Sequence, residues 1–272
     1  MTAFGVRGDL TVPGLRVARV FVPPLRLADV HDQLGALADA CQSAAARDLA
    51  AGRLVLLSFK LDPAEVMMGL WDAQLAGLAS WAVMATGNRV ALIYWHEPEN
   101  DHDALAWTAA FTRVRSVIGD AAPGVPVGCV AMAYQWRPGA ASTQDGDAWW
   151  VDADFYGVDV YSGPDDADVV PYWMDAGFAR WWEYIGARAV GIKRWWLLAE
   201  RGFRGAEDAA AASVVHAEWE RLAVAPAPPV AYVLWASPGA EGDAGLVPGP
   251  MTVEAFTDMV AQVGAPDGQR HR

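Results

Sequence analysis

The chain alternates between short, continuous apolar runs and longer segments with a helical pattern. Apolar runs of about 4–8 residues are typical of parallel strands that are covered on both faces. Such runs predict strands at residues 3–6, 17–22, 54–59, 90–95, 125–132, 155–160, 194–199 and 230–235. From the second strand onward the starts lie roughly 30–40 residues apart, which is the length of a strand–helix repeat.

Helical patterns fill most of the gaps between these strands. They predict helices at residues 27–51, 71–85, 104–118, 171–185, 206–222 and 253–263. Several end at a glycine, as helices commonly do. The exception is the first gap, "RGDLTVPGLR", which is too short for a full helix.

Eight strands alternating with helices predict an α/β fold, a (β/α)8 TIM barrel in a single domain. We expect the barrel to occupy residues 1–265 and a polar tail to follow at 266–272. The competing fold is an open, doubly wound sheet. That fold normally carries a glycine-rich phosphate loop after an early strand, and the sequence contains none.

Composition narrows the classes of partner. The net charge is −13, and no basic patch is long enough to follow a phosphate backbone, so we expect neither nucleic acid nor an anionic membrane surface as a partner. No apolar run reaches the roughly 18 residues that a membrane span needs. The first ten residues lack the pattern of a signal peptide, which leaves the route of export open. We expect a monomer without a cofactor, and free thiols at Cys41 and Cys129.

Candidate chemistry is expected where strands end, because catalytic groups of such barrels lie at the carboxyl ends of the strands. The fourth strand runs into "YWHEPEND", which contains Glu97, and the seventh ends in "LLAERG", which contains Glu200. Strands four and seven lie on opposite sides of a barrel. Two carboxylates that face each other across a pocket are what glycoside hydrolysis requires, one as acid and one as nucleophile.

The same residues allow other interpretations. Either glutamate alone could be a solvated loop residue. The cluster from His96 to Asp103 could bind a metal, although Pro98 prevents the helical spacing of a zinc protease motif. No G-x-S-x-G elbow is present, and neither cysteine follows a strand with a histidine nearby, which argues against a serine or cysteine nucleophile.

Three stretches resemble the retaining glycoside hydrolases of clan A, and within it family 26, best known for endo-β-1,4-mannanases. They are the His96–Glu97 pair, the approach to strand six, "AWWVDADFYGVDVYSG", and the end of strand seven, "LLAERGF". The likeness covers residues 50–205. It implies an endo-acting enzyme on a polysaccharide or oligosaccharide, with mannan as the default substrate.

The resemblance also implies roles for single residues. Glu97 matches the general acid/base, Glu200 the nucleophile, and Tyr161 the tyrosine that hydrogen-bonds the nucleophile. His96 matches the histidine beside the acid/base, and Asn100 and Trp235 match sugar-contacting positions. From their places at strand ends, Lys60 and Trp136 are added to the predicted substrate-binding residues, because an amine can bind hydroxyls and a tryptophan face can pack on a sugar ring.

The chain departs from family 26 at three points. Ile93 stands where an arginine is usual, "HEPEN" replaces HE-x-N-G, and Arg201 follows the nucleophile where an aromatic residue is common. The hypothesis is a retaining endo-β-glycosidase. The alternative, from another class, is a non-catalytic carbohydrate-binding or structural barrel, for example in a phage tail or a cell-wall assembly.

Overall fold

The structure is a computed structural model that describes residues 2–8, 12–30, 33, 35–84, 87, 89–140, 146–162, 169–188, 195–204, 206–224, 229–236 and 248–264. The predicted tail at 266–272 lies outside these ranges. Within them no helix is long and apolar enough to cross a membrane. Cys41 and Cys129 are both free thiols, as predicted.

Eight parallel strands pair in chain order and close into one barrel, which confirms the predicted (β/α)8 fold. Their bounds match the apolar runs to within a few residues. The strands are β1 (Ala3–Gly8), β2 (Val17–Phe21), β3 (Leu54–Phe59), β4 (Val90–Tyr94), β5 (Val127–Met132), β6 (Phe155–Ser162), β7 (Trp195–Phe203) and β8 (Ala231–Ala236).

The helices surround the barrel, and several begin at an aspartate. They are α1 (Leu27–Val30), α2 (Ala36–Ala50), α3 (Pro63–Met67), α4 (Asp72–Met84), α5 (Pro98–Asp101), α6 (Ala104–Ala121), α7 (Ala176–Arg188), α8 (Asp208–Val224) and α9 (Pro250–Gly264). Asp62 and Asp103 accept hydrogen bonds from the first free backbone N–H groups of α3 and α6.

Two helix predictions were too long. The expected helix at 27–51 is divided into α1 and α2, with Gly35 in the left-handed conformation (φ 94°) immediately before α2. The expected helix at 171–185 begins only at Ala176, because Tyr172–Met174 forms a 3-10 turn and the Asp175 carboxylate accepts from the Phe178 N–H at 2.9 Å. Between β1 and β2 the described residues contain no helix, as the short first gap predicted.

The barrel interior and the layer outside it are separate apolar clusters. Inward side chains come from alternate strand positions and include Val17, Leu56, Ala91, Ile93, Val130, Phe155, Leu197, Ala199, Ala231 and Val233. A Cβ atom on Gly128 would lie 2.1 Å from the Phe155 ring, so this glycine makes room for that ring. The interior is therefore a packed floor, and polar side chains gather above it at the carboxyl ends of the strands, here called the barrel mouth.

Candidate active site

Glu97 lies just beyond β4, in a strained turn. Its backbone has φ 53° and ψ 50°, in the left-handed region, and Trp95 also has a positive φ of 50°. Among the described residues these are the only non-glycine residues with positive φ. Such a conformation costs about 1–3 kcal/mol and tends to occur at functional sites. The turn directs a half-buried carboxylate into the mouth.

Glu200 lies within β7 and reaches the mouth through a bulge. Val158 of β6 pairs with Leu198, but the next residue, Asp159, pairs with Glu200, so Ala199 is the extra residue. Ala199 and Glu200 consequently both face inward, and Arg201 faces outward. Without the bulge, strict alternation would place the Glu200 side chain outside the barrel.

The two glutamates come together with a third carboxyl group that the sequence analysis gave no role. Glu97, Asp159 and Glu200 each place one carboxylate oxygen within 4.8 Å of the others. Asp159 is 0% exposed and Glu200 is 2% exposed. Neither Asp159 oxygen has a hydrogen-bond partner among the described residues.

Glu200 is the best stabilised of the three carboxylates. The Nε of Arg19, on β2, lies 3.3 Å from its Oε1, and the Tyr161 hydroxyl donates a hydrogen bond to its Oε2. Arg19 is 2% exposed and also donates to Ser58 Oγ at 2.6 Å. Burial raises the pKa of Glu200, while Arg19 and Tyr161 oppose that rise by favouring the anion.

Glu97 and Asp159 are held toward the protonated form. Burial, and next the nearby Glu200 and Glu99 carboxylates, raise the pKa of Glu97 to about 8. Burial and then the charges of Glu200 and Glu97 raise the pKa of Asp159 well above its ordinary value. When one negative charge resides in this cluster, it therefore belongs on Glu200, which alone has a guanidinium and a hydroxyl donor in contact.

The same three carboxylates could each offer one oxygen to a cation. Glu200, however, already has Arg19 at one oxygen and Tyr161 at the other. A metal ion would have to compete with the guanidinium for the same carboxylate, and the two positive charges would repel each other. This arrangement favours acid–base chemistry over a metal centre.

Aromatic rings form one wall of the mouth. The His96 ring packs edge-on against Phe21 at 4.6 Å between centroids, and Phe21 lies 5.8 Å from Trp235. Trp235 also lies 6.2 Å from Tyr161, which contacts Glu200. Burial, and then the positive charges of Arg19, Lys60 and Arg7, lower the pKa of His96 well below its usual range, so its ring is neutral.

A second part of the mouth is polar. The Asn100 side-chain N–H donates to Glu97 Oε2 at 3.2 Å, and its carbonyl oxygen accepts from Gln135 at 2.7 Å. The Lys60 amine donates to Asp101 at 2.9 Å and lies over the Trp95 ring at 5.1 Å. Asn100 therefore contacts Glu97 directly, whereas the side-chain hydrogen bond of Lys60 goes to Asp101.

Trp136 was predicted to offer its face to a sugar, and the structure does not place it there. Its side chain is 3% exposed, packs against Tyr184 and donates its Nε1–H to Glu99 Oε1 at 2.7 Å. The reason is the 3-10 turn Ala133–Trp136 after β5, which turns the ring between the barrel and α7. The neighbouring half-buried Trp150 stacks on Tyr156, with 5.5 Å between the ring centroids.

Arg201, the unusual residue after the nucleophile candidate, belongs to the outer layer. Its Nε donates to Glu218 of α8 at 2.9 Å, and both side chains are buried. Tyr232 donates to the other Glu218 oxygen at 2.5 Å, and Arg201 Nη2 donates to the Val170 carbonyl at 2.7 Å. The network ties β7, β8 and α8 together directly behind Glu200.

Sequence reasoning missed Arg19 and Asp159 as parts of the site. A weak signal was present, because each interrupts an otherwise apolar strand, "VARVF" and "FYGVDVYS". A polar residue inside a strand that is covered on both faces must find a partner or change its protonation. Ile93, where an arginine is usual in family 26, is buried in the barrel interior, and the guanidinium at Glu200 comes from β2.

No protein-family model and no curated protein matches the sequence. The barrel is similar, however, to solved structures of glycoside hydrolases. An endoglucanase from Pseudomonas stutzeri, in complex with cellobiose, has a TM-score of 0.63 at 12% identity, with 95% of this chain and 92% of that chain covered. An endo-β-1,4-mannanase from Thermotoga petrophila has a TM-score of 0.57 at 13% identity, covering 95% of this chain and 72% of that one.

A third similar structure is a family 128 (subgroup I) endo-β-1,3-glucanase from Amycolatopsis mediterranei, in complex with laminaritriose. Its TM-score is 0.51 at 14% identity, and the match covers 95% of this chain and 100% of that chain. The comparisons reach glycoside hydrolases as a group and do not single out family 26. At these identities they show the fold, a closed (β/α)8 barrel that this chain shares with those enzymes.

Proposed function

We propose that the protein is a retaining β-glycosidase that hydrolyses a β-linked polysaccharide, with Glu97 as acid/base and Glu200 as nucleophile. The observation that carries the proposal is the pair of carboxylates at the ends of β4 and β7, whose nearest oxygens lie within 4.8 Å. Carboxyl groups of retaining enzymes lie about 5–5.5 Å apart, whereas inverting enzymes separate them by about 6.5–9.5 Å to admit a water molecule. The short separation supports the retaining mechanism.

The first step joins the sugar to Glu200. The ionised Glu200 carboxylate attacks the anomeric carbon, the glycosidic C–O bond breaks, and the departing oxygen takes the proton of Glu97. Arg19 and Tyr161 hold the attacking carboxylate in one orientation, which lowers the entropic cost of reaching the transition state. The product is a glycosyl ester of Glu200 and an ionised Glu97.

The second step releases the sugar. Glu97, now a base, removes a proton from a water molecule, whose oxygen attacks the anomeric carbon and displaces Glu200. Loss of the negative charge on Glu200 during the first step removes one of the causes of the raised Glu97 pKa. Glu97 therefore keeps its proton until the ester forms and ionises more readily afterwards, as its successive roles as acid and base require.

The predicted substrate-binding residues fit this scheme by position. Trp235 can pack against the apolar face of the sugar beside Tyr161, and the neutral His96 can exchange hydrogen bonds with a hydroxyl. Asn100 contacts Glu97 and can orient it, and Lys60 lies farther out on the same side. Trp136 has no place in the scheme, because it is buried.

The substrate class is proposed from two sources. The similar solved structures include enzymes named for cellulose-type, β-1,3-glucan and mannan substrates. The resemblance to family 26 makes β-1,4-mannan the first candidate, cleaved in endo fashion. Because the mouth combines neutral polar groups with aromatic rings, an uncharged polysaccharide suits it better than an anionic one, which the net charge of −13 would repel.

The test measures reducing ends released from β-mannan, β-1,4-glucan, β-1,3-glucan and β-xylan. Glu97→Ala and Glu200→Ala are compared with the wild type, and Glu220→Ala, an exposed position on α8, is the matched control. We expect both active-site variants to lose hydrolysis and the control to keep it. On a dinitrophenyl glycoside of the same sugar, whose leaving group needs no proton, azide should rescue Glu200→Ala with formation of the α-glycosyl azide and Glu97→Ala with formation of the β-glycosyl azide.

Two outcomes would contradict the proposal. Hydrolysis that survives Glu200→Ala would show that another group is the nucleophile. Polysaccharide binding without hydrolysis in the wild type, unchanged by either substitution, would favour the non-catalytic binding module.

A further inference from the structure

Glu97 keeps a backbone conformation that a non-glycine residue avoids, so something in the structure must hold it. Its N–H donates to the Val130 carbonyl of β5 at 2.8 Å, and its carbonyl accepts from the Asn100 N–H at 3.1 Å. Helix α5 begins at the next residue, Pro98, whose ring fixes φ in the helical range. These local contacts fix the ends of the turn, but α5 has only four residues and cannot hold its own position.

Glu99 supplies a long-range contact for α5. Its side chain leaves the mouth and enters a small cavity behind β4 and β5, lined by Trp107, Trp136, Trp149, Trp181 and Tyr184. The carboxyl group is 6% exposed, and its Oε1 accepts the Trp136 Nε1–H at 2.7 Å. Its Oε2 faces the cavity and has no partner among the described residues.

A carboxyl group is destabilising in this cavity compared with an apolar side chain. A leucine or methionine would bury no carboxyl group, and a buried carboxyl with one unpartnered oxygen is destabilising by comparison. The carboxyl, however, supplies the acceptor of the Trp136 N–H, which an aliphatic side chain would leave unpaired, and the backbone N–H of Met132 also favours its anion. Trp136 itself is immobilised between the 3-10 turn after β5 and the Tyr184 ring of α7.

We propose that Glu99 is a positioning residue for the acid/base: its buried hydrogen bond to Trp136 anchors α5 and thereby keeps the Glu97 carboxyl at the glycosidic oxygen. The inference deepens the proposed function and rests on it. Glu99 touches neither substrate nor reacting atoms, and it acts only through the two-residue link to Glu97. Trp136, which the sequence predicts as a sugar-binding residue, instead donates the hydrogen bond of this anchor.

Substrates with different leaving groups can distinguish a misplaced Glu97 from a general structural defect. When a polysaccharide is cleaved, the departing sugar oxygen is strongly basic and needs the Glu97 proton. Dinitrophenolate is a good leaving group and needs no proton. A displaced Glu97 should therefore lower kcat/KM for the polysaccharide and spare kcat/KM for the dinitrophenyl glycoside of the same sugar. Both constants report formation of the glycosyl ester, so the later hydrolysis step does not enter the comparison.

The experiment compares Glu99→Met, which removes the acceptor, with Glu99→Gln, which keeps one. We expect Glu99→Met to lose about 10- to 100-fold in kcat/KM on the polysaccharide and less than about 3-fold on the dinitrophenyl glycoside. Glu99→Gln should retain most of the activity on both substrates. Glu220→Met, the same substitution at the exposed α8 position, is the control, and circular dichroism checks that each variant is folded.

Trp136→Phe tests the same hydrogen bond from the other side and decides the matter if Glu99→Met does not fold. It should show the same selective loss on the polysaccharide. Equal losses on both substrates would mean a general structural role, and no loss would mean that the anchor is dispensable; either result overturns the inference.

The design separates the inference from the proposed function. Glu97→Ala should show the same selectivity as Glu99→Met, but more strongly. If Glu97→Ala shows it and the Glu99 and Trp136 variants do not, only the inference is overturned. If the wild type cleaves neither substrate, the proposed function is wrong and the inference falls with it.

Discussion

The ends of β4 and β7 present the same residue type in opposite ways. Glu97 follows its strand in a strained turn, is half-buried, and receives one hydrogen bond, from Asn100. Glu200 lies inside its strand at a bulge, is buried, and receives a guanidinium from Arg19 and a hydroxyl from Tyr161. A carboxylate with those partners favours the anion, and a carboxyl without them keeps its proton. The division of labour that we propose, with Glu97 as acid and Glu200 as nucleophile, therefore follows from the surroundings of each glutamate.

The buried residues behind the two glutamates also differ. Behind Glu97, Glu99 enters an aromatic cavity and meets a neutral donor, Trp136. Behind Glu200, Arg201 meets a charged partner, Glu218, in a network that also includes Tyr232. Burying a full ion pair needs many hydrogen bonds to be tolerable, and the Arg201 side has them. Arg201 thus has several buried partners behind Glu200, whereas the Glu99 side chain has one side-chain donor, Trp136.

The largest expected effect is a difference between Glu97 and Glu200 variants on substrates with different leaving groups. Glu200→Gln should lose about 10⁴-fold or more in kcat on both the polysaccharide and its dinitrophenyl glycoside, because no covalent step can occur. Glu97→Gln should lose about 10²- to 10⁴-fold in kcat/KM on the polysaccharide and little on the dinitrophenyl glycoside. Steady-state kinetics on both substrates checks this. The opposite pattern would reverse the two roles.

The next effect concerns pH. The proposed mechanism requires an ionised Glu200 and a protonated Glu97 in the free enzyme. We therefore expect kcat/KM to fall on the acid side as Glu200 gains a proton and on the basic side near pH 8 as Glu97 loses one. Arg19→Met removes the guanidinium that favours the Glu200 anion, so the pKa of Glu200 rises. The acid limb of the pH profile should move to higher pH by about one unit or more, with the basic limb moving less. An acid limb that stays in place would mean that Arg19 does not control Glu200.

Stability gives a third comparison. Glu218→Gln leaves Arg201 as a buried charge without its counterion, which costs about 3–5 kcal/mol. The melting temperature should fall by about 6–15 °C, measured by circular dichroism or calorimetry. The exposed Glu220→Gln on the same helix is the control and should melt like the wild type within about 1–2 °C. An unchanged melting temperature in Glu218→Gln would show that the network does not stabilise the fold.

The smallest effect is a pH dependence of stability on the acid/base side. Burial raises the pKa of Glu99 to about 7 in the folded protein. A carboxyl group with a raised folded pKa contributes stability below its unfolded pKa, and that contribution is lost as the pH rises through about 7. The glutamine of Glu99→Gln cannot ionise and does not lose this contribution. Between pH 4 and pH 8, the free energy of unfolding of Glu99→Gln should therefore rise relative to that of the wild type by up to roughly 3 kcal/mol. Urea titrations at several pH values measure the difference, and parallel curves would contradict the assignment.

The predicted fold followed from local patterns. The eight apolar runs gave strands at nearly the expected positions, because a strand covered on both faces must be apolar along its length. The two long helix predictions failed at Gly35 and at Asp175, where a backbone conformation and a capping carboxylate mark boundaries that apolar periodicity alone overlooks. The strand-end rule also placed Glu97 and Glu200 near each other, since all parallel strands of a barrel end at one face.

The rest of the site depended on which way side chains face and what they meet across the barrel. Whether Glu200 or Arg201 points inward is decided by the bulge at Ala199, which appears only when β7 pairs with β6 and β8. Arg19 and Glu200 are far apart in sequence and meet because their strands face each other inside the closed barrel. Trp136 was misjudged for the same reason, because its burial requires α7 and Glu99 to be in place.

By itself, then, the sequence determined the barrel and the two strand ends that carry acids, because hydrophobic periodicity and turn chemistry act over a few residues. Only the tertiary structure decided that Asp159 and Arg19 join those acids, that Glu200 is the anion and that Trp136 serves the interior. Protonation and orientation depend on burial and on charges brought close by strands distant in sequence, and these exist only once the barrel has closed.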